Sequence, residues 1–499
     1  MNKILTRRQL LHGAATLAAA SALPGCSGSS TQSAGNPPTA PLTPQPTPTG
    51  PITQATLTVT STAAGTIGPA FAGLSYEKNT IYTPLFSASN TNLIALFKRL
   101  GSSILRIGGN SVDKTVWTPN GPGQTSGQVA PTDVAALAAF VKATGWQVLY
   151  GINLGGSATG VQTPALAAAE VAYAVQQFGS SLLGIEIGNE CDLYGDSGHY
   201  YAGNWSLTQF EALWSTYRTA ILAAAPGVPI TGPASATNES TWTIPFGQFA
   251  TKSEITLLTQ HYYRANGQLP TSTVNLLVSP DPNFVSDLAK LQAGAQSIGV
   301  PYRIAECNSF YNGGAPGISD SYASALWIID FLFNCAQANA TGANFHGGGN
   351  STGYTPIANS GATIVEARPE YYGMLLFTLA GTGTLQQTQL TAGGLNATAY
   401  AVKTTSGTSL VLVNKDATQN LSVTIQTPQT IANSTLIAMT QSTAGAAPSL
   451  SATEGVTIQS ASVAIDGTFN PATSYTLTNT GSQTTCYVPA LSAVLINLT

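Results

Sequence analysis

Between about residues 70 and 380, short apolar runs alternate with longer stretches in which apolar positions recur every three or four residues. The runs at 71–77, 104–108, 147–154, 183–190, 229–233, 255–263, 302–306 and 343–346 are bounded by turn residues and read as strands. Between them, Leu93, Leu96, Phe97 and Leu100 fall at i, i+3, i+4 and i+7. Phe284, Leu288, Leu291, Ala295 and Ile298 form a second helical stripe. Pro131-Thr132-Asp133 and Ser206-Leu207-Thr208-Gln209 mark helix starts, and Gly145 and Gly299 stand where helices should end. Alternating strands and helices imply parallel strands with crossover helices. Eight such pairs fit an α/β (β/α)8 TIM barrel. A doubly wound open sheet would carry a Gly-rich phosphate turn early on, and the chain has none.

Beyond residue 380 the period shortens to two. Runs at 409–413, 421–426, 434–439 and 493–498 are separated by Gly, Ser, Thr, Asn and Pro, which predicts a C-terminal all-β sandwich. The early run 55–60 has the same character. It is expected to join that β domain, with a strand plugging the barrel floor as the alternative. The chain then divides into an export signal with a lipobox (1–26), a Ser/Thr/Pro-rich linker (27–55), the catalytic barrel (70–380), and a β-sandwich domain made of 56–69 plus 381–499.

Composition changes the picture in two ways. Only 8% of residues are charged, against roughly 25% in typical soluble chains. The 17 Lys and Arg are outnumbered by 21 Asp and Glu and form no basic cluster, which excludes nucleic acid as a partner. Few carboxylates also mean little charge imbalance on protonation, so acid tolerance is expected. At the N-terminus, Arg7-Arg8 precedes an Ala-rich apolar stretch that ends Leu23-Pro24-Gly25-Cys26. The pattern reads as an exported chain anchored at the periplasmic or cell surface through lipidated Cys26, with Pro24 unusual in such a box. Contact with a membrane is expected through that anchor only, because no later run reaches the ~20 apolar residues of a span.

Two strands end on a carboxylate, Glu190 and Glu306. Alternation places Glu186, Gly188 and Glu190 on one strand face and Ile185, Ile187 and Asn189 on the other. Burying a carboxylate at the end of an apolar strand is costly without a role. Two of them at the C-terminal ends of barrel strands four and seven suggest acid/base or nucleophilic chemistry, with buried structural ion pairs as the competing reading. Retaining glycosidases hold their carboxyls ~5–5.5 Å apart and inverting ones ~6.5–9.5 Å. Cys191, Cys307, Cys335 and Cys486 lack zinc-type spacing, so no metal is expected. Cys191 and Cys307 each follow one of the glutamates, which leaves a catalytic thiol as a minor alternative.

Gly188-Asn189-Glu190, His261-Tyr262-Tyr263 and the strand-terminal Glu306 resemble the clan of retaining (β/α)8 glycosidases. Leu105-Arg106-Ile107-Gly108-Gly109-Asn110 with Asp113, the run from His261 to Gly267, and the run from Glu306 to Pro316 followed by Ser319-Asp320 narrow the resemblance to glycoside hydrolase family 79. That family includes heparanase and β-glucuronidases. The resemblance implies Glu190 as general acid/base, Glu306 as nucleophile, and Asn189 as a donor to the sugar 2-hydroxyl. It also implies recognition of a uronic acid carboxylate by Tyr311, the Gly313 amide and Tyr354. Arg106 and Tyr263 are candidate donors to Glu306, although Arg106 could instead pair with Glu186. His261 reads as a supporting residue. Glu77, ending strand one, is a candidate for sugar hydroxyls or else a capping carboxylate.

The resemblance implies no cofactor and a carbohydrate partner carrying terminal glucuronic acid, with the 4-O-methylated sugar among the expected forms. Cys191 stands where the family usually has proline, and Asn312 replaces a glycine. The leading expectation is a retaining exo-β-glucuronidase. An endo-acting heparanase type would need basic residues along its cleft, and 17 Lys and Arg are few for that. A glycan-binding lipoprotein without catalysis and a glycosidase for another sugar complete the alternatives.

Overall fold

The computed structural model describes residues 43–499; the export signal and Cys26 lie outside the described residues. Eight strands close into a barrel: β1 (Ala72–Glu77), β2 (Ile104–Gly108), β3 (Gln147–Ile152), β4 (Leu182–Ile187), β5 (Ile230–Ser235), β6 (Leu257–Tyr263), β7 (Tyr302–Asn308) and β8 (Ala343–Gly347). Each strand pairs in parallel with its sequence neighbours, and β8 closes on β1. The TIM barrel expected from the apolar pattern is borne out.

Helices α1 (Thr91–Arg99), α2 (Pro131–Thr144), α3 (Pro164–Phe178), α4 (Leu207–Ala224), α5 (Ile244–Glu254), α6 (Val274–Val278), α7 (Pro282–Ile298), α8 (Tyr322–Gln337) and α9 (Pro369–Leu379) follow the strands. Their ends have local causes. The Ser206 and Asp281 side chains accept from the first-turn amides of Gln209 and Phe284, satisfying donors that no helical carbonyl reaches. Gly145 and Gly299 terminate α2 and α7 at φ 75° and 76°, where an L side chain would be strained.

The C-terminal strands belong to one 12-stranded sheet that curls over its own core. The strand Ile52–Ile67 lies within it, antiparallel to Gly383–Thr391 and parallel to Asn420–Gln426. Ala55, Leu57 and Val59 are buried there with Leu410, Val423 and Ile496, so the run is not a barrel plug. The linker expected over 27–55 needs correction at its C-terminal end. Gln45 accepts from the Tyr487 amide and donates to the Tyr487 carbonyl, and Thr43–Pro44 pairs with Tyr475–Thr476. These backbone partners order a segment whose composition is that of a tether.

Barrel and β domain meet at α8. Asp330 accepts from Thr398 and Tyr400 and is ion-paired with Lys415, while the Tyr322 hydroxyl donates to the Leu491 carbonyl. Among the described residues, no helix is long and apolar enough to cross a membrane.

Candidate active site

The two glutamates face each other at the C-terminal mouth of the barrel, but β4 ends earlier than its apolar run suggested. β4 stops at Ile187, and the chain then turns through positive φ at Gly188 (88°) and Glu190 (50°). A Cβ at position 188 would lie 2.4 Å from Cys191 Sγ, so only glycine fits. The turn is held from β5, whose Ala234 carbonyl accepts the Glu190 amide at 2.8 Å. Strict alternation would have sent Asn189 away from Glu190. The left-handed turn instead brings Asn189 into contact with Arg106 beside the glutamates.

Arg106 is fully buried and joins four groups. Its Nε donates to Glu186 Oε2 (2.7 Å), Nη1 to Glu306 Oε2 (2.7 Å) and, at 3.4 Å, to Ser75 Oγ, and Nη2 to Asn189 Oδ1 (3.0 Å). The two readings left open for Arg106 therefore hold together: it is a donor to Glu306 and an ion-pair partner of Glu186. The Tyr263 hydroxyl donates to the other oxygen of Glu306 at 2.8 Å. Burial alone would raise the Glu306 carboxyl. The nearby charges of His346, His261 and Arg106, with the Tyr263 hydrogen bond, outweigh it and hold that carboxyl far below the usual carboxylate range.

On the opposite side, His261 Nδ1 stands 3.1 Å from Glu190 Oε1. The Glu190 carboxylate is the more open of the pair, with its side chain 19% exposed against 7% for Glu306. Ligand atoms of Glu190, His261 and Glu306 all lie within 4.8 Å of one another. An ion held there would compete with the guanidinium and phenol that already occupy both oxygens of Glu306, so the trio fits a metal poorly.

Glu77 ends β1 and accepts from the Asn110 amide (3.2 Å), the Ser111 amide (2.7 Å) and the Ser111 hydroxyl. His346, at the end of β8, lies between carboxylates, with Nε2 3.6 Å from Glu77 Oε1 and Nδ1 3.7 Å from Glu306 Oε2. Its Nδ1 is also 3.1 Å from Ser75 Oγ. Burial opposes the imidazolium, but Glu306 and Glu77 outweigh it and raise the His346 pKa. Sequence reasoning identified the 343–346 strand and missed the histidine. The rule that flagged the two glutamates, a polar group ending an apolar strand, also applies to it.

The β6–α6 and β7–α8 loops form the outer rim, where their backbones pair. Tyr311 donates its amide to the Ala265 carbonyl (2.9 Å), and its own carbonyl accepts the Gly267 amide (2.9 Å). Asn312 sits at φ 62°, a conformation asparagine tolerates, and its side chain donates to Asn266 Oδ1 at 3.1 Å. The loop after β8 closes on this pair: the Tyr354 amide donates to the Gly313 carbonyl at 3.3 Å, and a Cβ on Gly353 would lie 2.0 Å from that oxygen. The Tyr354 ring lies 5.8 Å from that of Tyr263 and 6.0 Å from that of His346.

The structure thus gathers Glu77, Arg106, Asn189, Glu190, His261, Tyr263, Glu306 and Tyr354 around one mouth. Gly313 lies at its edge, with an amide that donates to no protein group among the described residues. Tyr311 stands furthest out, 44% exposed. Cys191 and Cys307 are fully buried, and burial pushes both thiols well above their ordinary pKa, which disfavours the catalytic-thiol alternative.

No family model matches the chain. A β-glucuronidase of Aspergillus niger is 27% identical over 301 residues, covering 54% of this chain and 55% of that protein. A β-glucuronidase of Neurospora crassa is 39% identical over 75 residues, covering 15% of this chain and 13% of that protein. The match thus spans about half of the first curated relative and less of the second. The solved structure of a 4-O-α-L-rhamnosyl-β-D-glucuronidase from Fusarium oxysporum 12S has a TM-score of 0.72 with this chain at 19% identity, covering 89% of this chain and 100% of the other. At that identity the likeness is one of fold. The resemblance to glycoside hydrolase family 79, read first from the strand-end motifs, is therefore borne out, in sequence by β-glucuronidases and in fold by a glucuronidase.

Proposed function

We propose that the chain is a retaining exo-β-glucuronidase that removes terminal β-linked glucuronic acid from glycans or glycosides by double displacement. One observation carries this reading: a carboxylate oxygen of Glu190 and one of Glu306 lie within 4.8 Å of each other across the barrel mouth, Glu190 beside His261 and Glu306 between Arg106 and Tyr263. So close an approach suits a retaining pair better than the wider separation that an inverting enzyme keeps for its water. Ionised Glu306 attacks the anomeric carbon while Glu190 gives its proton to the departing glycosidic oxygen. A covalent glycosyl ester forms. Glu190, now a carboxylate, takes a proton from the incoming water, which displaces Glu306 and restores both groups.

Asn189 has its amide oxygen on Arg106, which leaves its NH2 to donate to the sugar 2-hydroxyl. The free Gly313 amide and the Tyr311 and Tyr354 hydroxyls supply neutral donors to the uronate carboxylate. Glu77, on the β1 side, accepts from sugar hydroxyls. The exo reading is supported by the scarcity of free cations: buried Arg106 is engaged by carboxylates, and Arg264 is spent on the Ser279 and Pro280 carbonyls. A 4-O-methyl group at the non-reducing end is part of the proposed substrate range.

A panel of aryl β-glycosides tests this reading, with NMR of the first-formed sugar. Rapid release of β-glucuronic acid is expected. A first-formed α-anomer, or faster cleavage inside heparan sulfate than of an aryl β-glucuronide, overturns it. We also infer export and lipid anchoring, supported by Arg7-Arg8 and the segment ending at Cys26. Cys26→Ser should move the protein from the membrane to the soluble fraction, and unchanged membrane association contradicts the anchor.

A further inference from the structure

We propose that Asp113 is the positioning residue of the acid loop, fixing from behind the turn where Glu190 presents its proton. The inference rests on the reading of Glu190 as acid/base.

Asp113 lies in the short turn after β2 and is 5% exposed. Its Oδ1 accepts the amides of Leu154 (2.8 Å) and Gly155 (2.9 Å) at the end of β3. Its Oδ2 accepts the hydroxyl of Tyr194, beyond the acid turn, at 2.6 Å. One buried side chain therefore links the β2 loop, the end of β3 and the segment that follows the turn carrying Glu190.

That turn needs a clamp. A non-glycine residue at φ 50° is strained and persists only where its surroundings over-determine it. Cys191 follows Glu190, so no proline ring restrains the backbone there. The thiol packs under Gly188, where a Cβ would also come within 3.0 Å of the Tyr194 hydroxyl. The Cys191 carbonyl accepts the Trp205 indole N–H at 2.7 Å. Hydrogen bonds centred on Asp113 and Tyr194 thus hold the chain on the far side of the turn. Asp113 touches neither carboxyl oxygen of Glu190, so its effect on the reaction is through placement alone.

The test separates placement of the acid from general stability through the leaving group. A 2,4-dinitrophenyl glycoside departs without a proton, whereas a phenyl or methyl glycoside needs one from Glu190. Asp113→Asn should lower kcat/KM for the phenyl glycoside by about 10²-fold, the scale of a ~1 Å misplacement. The dinitrophenyl glycoside should change by less than about 3-fold. Tyr194→Phe, which keeps the ring and removes one bond, should give the same selective loss at smaller size and serves if Asp113→Asn fails to fold.

Equal loss on both leaving groups, or no loss on either, in the soluble variant overturns the proposal. If the parent chain prefers another aryl glycoside to the glucuronide, the uronide reading falls, and the same comparison made on that sugar still decides the role of Asp113. A parent chain that cleaves no aryl glycoside overturns both.

Discussion

Two arginines, both fully buried, lie inside the same barrel at opposite ends, and their partners differ in kind. Arg303, near the floor, donates to Asn344 and to the carbonyls of Ala70 (3.1 Å), Phe71 (3.1 Å), Thr341 (2.9 Å) and Ala343 (3.3 Å). Among the described residues no carboxylate balances it, and burial pushes its pKa down to about 9. Arg106, at the mouth, meets Glu186 and Glu306, and their charges raise its pKa despite equal burial. The floor arginine satisfies backbone carbonyls that the closing strands leave over, which is a structural task. The mouth arginine adds its charge to those of His346 and His261 in keeping the Glu306 carboxylate ionised. In this barrel, therefore, the partners distinguish a structural charge from one placed for chemistry.

Removing each guanidinium in turn is the strongest way to break that contrast. Arg106→Met should lower kcat/KM by about 10³-fold or more, because it deletes a preorganised charge beside Glu306, the proposed nucleophile. It should also cost about 3–5 kcal/mol of stability by leaving buried carboxylates uncompensated. Arg303→Met should lower the melting temperature while the folded fraction keeps kcat within about 2-fold of the parent, since only unsatisfied carbonyls at ~1–3 kcal/mol each result. Comparable loss of kcat per folded molecule in both variants would erase the distinction.

Tyr263→Phe sharpens the comparison by removing a donor and no charge. A hydrogen bond to an ionised group is worth about 1.5–3 kcal/mol, so the Glu306 pKa should rise and kcat/KM fall by at most about 10²-fold. The acid limb of the pH–rate profile should move to higher pH; an unmoved limb contradicts the role given to Tyr263.

The smallest effect is expected at His346, as a matter of stability. Its folded pKa is raised above an unfolded value near 6.5, so its contribution is fully present below that pH. That contribution is lost as pH rises through the folded pKa. His346→Gln should thus narrow the difference in denaturant midpoint between pH 6 and pH 9, and an unchanged difference would mean the imidazole is not held as a cation.

Much of the barrel was legible because each strand is a short apolar run bounded by turn residues, and a run facing the core on both sides tolerates little else. Glu190 and Glu306 were legible for the same reason, as carboxylates in a place where burial penalises them. What escaped the sequence was geometry that needs a third dimension. A left-handed glutamate has no sequence signal, so the turn at Gly188 and Glu190 that brings Asn189 to the mouth stayed hidden. Arg106 offered two partners on two strands, and only barrel closure reveals that one guanidinium reaches both. The ordered segment around Gln45 was read as tether because its partners Tyr487 and Asn420 lie more than 350 positions away.

Glu306 is proposed as the carboxylate that bonds to the anomeric carbon, and that bond can be trapped. Incubation with an activated 2-deoxy-2-fluoro-β-glucuronide, followed by digestion and tandem mass spectrometry, tests this in one step, because the fluorine slows release of the covalent intermediate. Activity should be lost in step with the gain of one fluoroglucuronosyl group, ester-linked to Glu306. Labelling of any other residue, or turnover through an intermediate-free path that yields the inverted sugar, would contradict it.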